Sequence, residues 1–176
     1  RPIPVTMGWA WLILLLATYP WLLAADLASD PLASSSLVVF VSGACLIAPC
    51  RRLKRWQCVL FAAGLGFLFE ARRPIPEGAL ALTLVAVAIY LSSNRPLLRS
   101  TPRMLQGAVV VNALACLVWY LAAAFASDAP ADGVVGQLFS QLLLAGVVGA
   151  VGLVPVALTQ NAVMDRAGVP PAPEQP

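Results

Sequence analysis

A chain of 176 residues that is 60% hydrophobic and only 11% charged, with a mean hydropathy of +0.85, cannot cover its own surface with polar groups, so lipid must solvate much of it. The net charge of +3 is small and localised, and no basic face is interleaved with aromatics, which excludes nucleic-acid binding. Histidine is absent, which removes the commonest general base, proton shuttle and metal ligand; the four cysteines (Cys45, Cys50, Cys58 and Cys116) form no Cys-x-x-Cys pair and read as small buried hydrophobes.

Six apolar runs follow in order. The first lies within Pro2–Ala25, centred on WAWLILLLATYPWLLAA, with Pro20 predicting a kink. It has no small-residue cleavage site followed by a polar mature domain, so it reads as a retained transmembrane helix. Asp26 and Asp30 close it. The second run, Pro31–Cys50, predicts a helix beginning near Leu32, followed by the densest basic cluster, Arg51, Arg52, Lys54 and Arg55.

The third run, Trp56–Phe69, is 14 residues long, or roughly 21 Å as a helix, short of the roughly 30 Å hydrocarbon core. It is either re-entrant or continued through Glu70 to Arg73. The second is preferred, because Glu70 and Arg73 are three apart and can pair on one face. The fourth run spans Gly78 to about Asn94, the fifth Met104–Ser127, and the sixth lies within Gly133–Met164, where Pro155 kinks it or ends its regular part. The closing VPPAPEQP is proline-rich and expected to be disordered, so the packed domain is placed at 1–166 and the tail at 167–176.

The basic residues sort by side. With the N-terminus inside, the inner loops hold Arg51, Arg52, Lys54, Arg55, Arg95, Arg99 and Arg103, with Arg1 and Arg166 at the inner termini. Only Arg72 and Arg73 lie outside, flanked by Glu70 and Glu77. The predicted fold is therefore all-α: a polytopic bundle of six transmembrane helices with both termini cytoplasmic.

Intramembrane polar residues are the default functional candidates. Gln137 and Gln141 are four apart, share a helix face and can bond across to Asn112 in a neighbouring helix. Small residues at Ala62/Gly66, Ala145/Gly149 and Gly146/Ala150 offer close-packing surfaces. No nucleophile–base pair, metal-spaced carboxylate pair or phosphate-binding glycine loop is present, so neither enzyme activity nor a cofactor is expected.

The stretch GLGFLFEARRPIPEGALAL joins the third and fourth runs as a hairpin around a proline-braced turn. Its pattern Gly-x-Gly-x3-Glu-x7-Gly-x2-Ala-Leu, carried by Gly64, Gly66, Glu70, Gly78, Ala81 and Leu82, resembles the central hairpin of the rod shape-determining protein MreD family. In that family the acid is usually Asp, and the turn is small and polar where this chain has Arg-Arg-Pro-Ile-Pro. The motif covers about 30 residues of the chain. The resemblance implies a non-catalytic scaffold of the bacterial inner membrane, working with an MreC-like bitopic protein, the cytoskeletal protein MreB, the glycosyltransferase RodA and a class B penicillin-binding protein in lateral wall synthesis. It also makes Glu70, together with Arg73, a candidate for shaping the hairpin or meeting a partner. The alternative is the six-helix substrate-binding subunit of an energy-coupling-factor vitamin transporter. That reading needs a polar, aromatic-lined pocket and an Ala-xxx-Ala surface at mid-membrane in the first helix, and the chain offers little of either.

Overall fold

The computed structural model describes residues 8–35, 37–71, 78–126 and 134–170. Among these, six α-helices follow one another: α1 (Ala10–Ser29), α2 (Ser42–Arg52), α3 (Arg55–Glu70), α4 (Ala79–Ser93), α5 (Thr101–Ala126) and α6 (Val134–Arg166). Short 3₁₀ turns lie at Asp30–Ser35 and Arg95–Leu98. Three stretches, Ala10–Leu32, Thr101–Ala124 and Gly136–Arg166, are long and apolar enough to cross a membrane.

Each long helix is apolar nearly all round, which suits lipid on one side and protein on the other. On α1, Ala10, Leu14, Thr18, Leu22 and Ala25 recur at helical spacing and face the bundle. Leu16 and Leu27 point outward, 67% and 70% exposed. On α6 the outward stripe is Phe139, Leu143, Val147, Val151, Val154 and Leu158. Helix α1 runs on through Asp26 to Ser29, and α6 continues through Pro155 to Arg166. Pro155 thus does not end the sixth helix.

The centre of the bundle is α2. Every residue from Val39 to Cys50 is buried, and α2 meets α3, α4, α5 and α6. Small residues make this possible. At Gly43 a Cβ would fall on the Ala108 backbone of α5, so α2 and α5 are in backbone contact there.

The second apolar run is not the single helix expected from near Leu32. Leu37–Val41 is non-helical, and the helix begins only at Ser42. The local reason is the run Leu-Val-Val-Phe-Val, whose β-branched and aromatic side chains are poor helix formers. The decisive reason is that its backbone groups find partners elsewhere, as described below.

Helix α3 ends at Glu70 with Ala71 as its C-cap, so the described helix does not reach Arg73. Its length is 16 residues. The turn that follows, including Arg72, Arg73 and Pro74-Ile75-Pro76, lies outside the described residues, and with it the expected Glu70–Arg73 pair.

At the other end of the chain, Gly168 adopts φ 72° and the Val169 N–H donates to the Met164 carbonyl (2.9 Å), turning the chain back after α6. Val169 is buried, so packing extends past position 166. Arg52 fastens this turn: its guanidinium pairs with Asp165 at 2.6 Å and donates to the Val169 carbonyl at 2.6 Å and to Asn161 Oδ1 at 3.4 Å. One member of the basic cluster therefore has a structural task beyond orienting the chain.

Candidate functional site

Two polar constellations stand out, both built where a helix begins without a cap of its own. The first is at α4. Its N-cap is Gly78 at φ 95°, a left-handed conformation that glycine adopts without strain. Glycine has no side chain to accept from the first amides of the helix, and those amides carry the positive end of the helix dipole.

Glu70 supplies the acceptor from the end of α3. Its Oε2 accepts from the Gly78 N–H at 2.7 Å, and its Oε1 accepts from the Leu80 and Ala81 N–H groups at 2.5 and 3.1 Å. The carboxylate is 6% exposed, and both of its oxygens are engaged with α4.

The reach depends on Gly66, one turn earlier. A Cβ there would fall on the Ala81 backbone, with the Ala81 nitrogen only 2.7 Å away. The absence of a side chain lets α3 and α4 approach closely enough for the carboxylate of Glu70 to arrive at the amides. Gly66, Glu70, Gly78 and Ala81 are thus one structural unit. Gly64 belongs to another contact, where a Cβ would meet Leu15 Cδ2 of α1 at 2.7 Å. Leu82 points outward at 73% exposure, and Arg73 lies outside the described residues.

The second constellation serves α2 and the extended segment before it. Asn112, fully buried on α5, accepts through Oδ1 from the Gly43 N–H (2.6 Å) and the Ser42 hydroxyl (3.2 Å). Through Nδ2 it donates to the Phe40 carbonyl (2.7 Å) and the Ala145 carbonyl of α6 (3.1 Å). It thereby caps α2 and ties three elements together. Gly149 and Ala145 of α6 give it room, since a Cβ at Gly149 would stand 3.0 Å from Asn112 Nδ2.

The Val38 N–H donates to Gln141 Oε1 at 3.3 Å, and the Val39 N–H to the Ser29 hydroxyl at 2.9 Å. Gln137 lies apart, accepting from the Tyr120 hydroxyl at 3.5 Å. The two glutamines therefore do not join Asn112 directly as the shared-face spacing suggests. Asn112 and Gln141 instead serve neighbouring backbone groups of one extended segment. Non-helical backbone at membrane depth persists only where protein or water satisfies it, and here side chains from α1, α5 and α6 do so.

A third buried polar residue, Gln160, carries a role that the sequence does signal. Pro49 inside α2 has no N–H for the Cys45 carbonyl four residues earlier. Gln160 Nε2 supplies that donor at 2.9 Å and also donates to the Thr18 hydroxyl at 2.9 Å. A proline inside one apolar helix and a polar cluster, Thr159-Gln160-Asn161, late in another are the signals that point to it. Gln160→Leu is expected to cost about 1–2 kcal/mol, the loss of two buried hydrogen bonds, of which the one to the Cys45 carbonyl strands a backbone acceptor. In a Pro49→Ala background, where the backbone N–H at position 49 is restored, most of that cost disappears. Thermal melting of the two single variants and the double variant in detergent checks the coupling.

The fold and these sites define an all-helical protein of membrane character, with helix starts capped from neighbouring helices. The chain matches no protein-family model, no curated protein and no solved structure.

Proposed function

We propose that the chain is a six-pass scaffold subunit of the bacterial inner membrane, of the MreD type, with both termini cytoplasmic and no catalytic chemistry of its own. The observation that carries this reading is the hairpin. Gly66, Glu70, Gly78 and Ala81, four of the residues on which the MreD resemblance rests, act together in one contact. A hairpin fixed by a buried carboxylate presents a rigid helix pair, which suits recognition of a partner's transmembrane helix within the bilayer.

Six passes are compatible with the lengths. Helix α2 has 11 residues, roughly 16 Å, and the five extended residues Leu37–Val41 add roughly 16 Å more, comparable with the hydrocarbon core. Helices α3 and α4, at 16 and 15 residues, are roughly 24 and 22 Å long and cross a thin or locally thinned bilayer. The sorting of basic residues favours cytoplasmic termini.

The partners proposed are an MreC-like bitopic protein and other wall-elongation proteins. Affinity purification of the tagged chain from native membranes in mild detergent, read by mass spectrometry, is expected to recover a coiled-coil bitopic protein together with wall-synthesis enzymes. Recovery of ATPase subunits with a coupling membrane protein, or a thermal shift with a water-soluble vitamin, would replace this reading with the transporter one.

A further inference from the structure

We propose that the groove between α4 and α5 is a binding site for one phospholipid with an anionic headgroup. The groove exists because α4 packs chiefly on α3 while α5 packs chiefly on α6, so the α4–α5 seam stays open. It encloses about 680 Å³, within the roughly 300–1,000 Å³ of sites that hold a small molecule.

Its lining changes character along its length. Val110 and Leu114 of α5 line the body, where an acyl chain would lie, and both are exposed, at 62% and 37%. Tyr90 at the end of α4, with Arg103 and Gln106 at the start of α5, lines the other end, which the 3₁₀ turn borders through Leu97. The run from Arg103 to Leu114 rises about 16 Å along the helix, so the charged and apolar ends are separated as the head and tail of a lipid are.

Charge selects the headgroup. The single ion pair among the described residues joins Arg52 to Asp165, so Arg103 has no acidic partner there. No Asp or Glu occurs in the sequence between Glu77 and Asp128, while Arg95, Arg99 and Arg103 all do. Arg95 is occupied by the Leu53 carbonyl. Arg103, Tyr90 and Gln106 all line the groove, and a guanidinium, a phenol hydroxyl and an amide NH₂ are donors of the kind that phosphate oxygens accept from. Basic pockets between transmembrane helices near the membrane surface are suited to acidic lipid headgroups. The inference requires the chain to lie in a bilayer and is independent of the scaffold role.

Native mass spectrometry of the full chain, reconstituted with equimolar phosphatidylglycerol and phosphatidylcholine, tests it. One phosphatidylglycerol is expected to be retained at least about fivefold over phosphatidylcholine. Arg103→Gln should bring that ratio to about one, and Arg103→Lys should keep most of it. Val110→Trp fills the body of the groove without touching the charge, and should reduce retention of either lipid to the level of loosely bound annular lipid. Equal retention of the two lipids by the unmodified chain overturns the proposal. So does an effect of Arg103→Gln without an effect of Val110→Trp, which would mean attraction to the surface and no seated chain. A dimeric species that loses lipid on association would place a second copy in the groove and likewise overturn it. None of these outcomes bears on which proteins co-purify with the chain.

Discussion

Asn112→Leu is expected to destabilise the bundle by about 3 kcal/mol or more, the largest effect of any single polar substitution in this chain. Leucine keeps the apolar contacts but leaves the Gly43 N–H and the Phe40 carbonyl, each buried, without the partners they have at 2.6 and 2.7 Å. Stranding a buried donor or acceptor costs roughly 1–3 kcal/mol each, at the lower end within membranes, where unfolded chains also find partners. The Ser42 hydroxyl loses a partner too, but it can turn to a local carbonyl, as serines in helices commonly do. The Ala145 carbonyl sits inside α6, where the helix ladder serves it. Asn112→Asp should cost a comparable amount, because an ionised carboxylate there is buried without a counter-charge and set against the Phe40 and Ala145 carbonyls that Nδ2 now serves. Unfolding in a graded denaturing detergent, followed by circular dichroism, measures both. A loss below about 0.5 kcal/mol for Asn112→Leu would mean that water reaches Leu37–Val41.

Glu70 ranks second. Glu70→Lys is expected to cost about 3 kcal/mol, because it removes the acceptor for three amides and places a cation at the positive end of the α4 dipole. Glu70→Gln retains one acceptor oxygen but sets an amide NH₂ against a backbone N–H, so roughly 1–2 kcal/mol should be lost. Arg72→Lys, which preserves charge, should be nearly neutral. Thermal melting in detergent micelles orders the three. The order Lys, then Gln, then the Arg72 variant is the one expected of a cap. Equal losses for the two Glu70 variants would mean that negative charge alone, and not the paired geometry of Oε1 and Oε2, holds the hairpin.

The hairpin was largely legible in the sequence because its parts are close along the chain. The acid, the glycine eight residues on and the small residue at Ala81 all fall within a span that a motif can display, and the closeness of Gly66 to Ala81 follows from two small residues facing each other between α3 and α4. What the motif did not display is the job of the acid. A pairing with Arg73 was the simplest local reading, since i and i+3 share a helix face. The capping of α4 emerges only once α4 is placed alongside α3. Leu82 and Gly64 mark the limit of the motif in the other direction: they sit at matching positions but face outward and towards α1.

The composition and the runs of apolar residues determined by themselves that the chain is helical and of membrane character, because hydropathy and helical spacing are properties of neighbouring residues. Only the tertiary structure decided that the second run is broken and that α2 is the centre of the bundle. Leu37–Val41 can stay extended because its backbone partners arrive from far along the chain: Gln141 is 103 residues from Val38, and Asn112 is 72 from Phe40. Local propensity cannot register such partners, and in an apolar surrounding the cost of leaving those backbone groups unpaired is what selects the packing that brings them together.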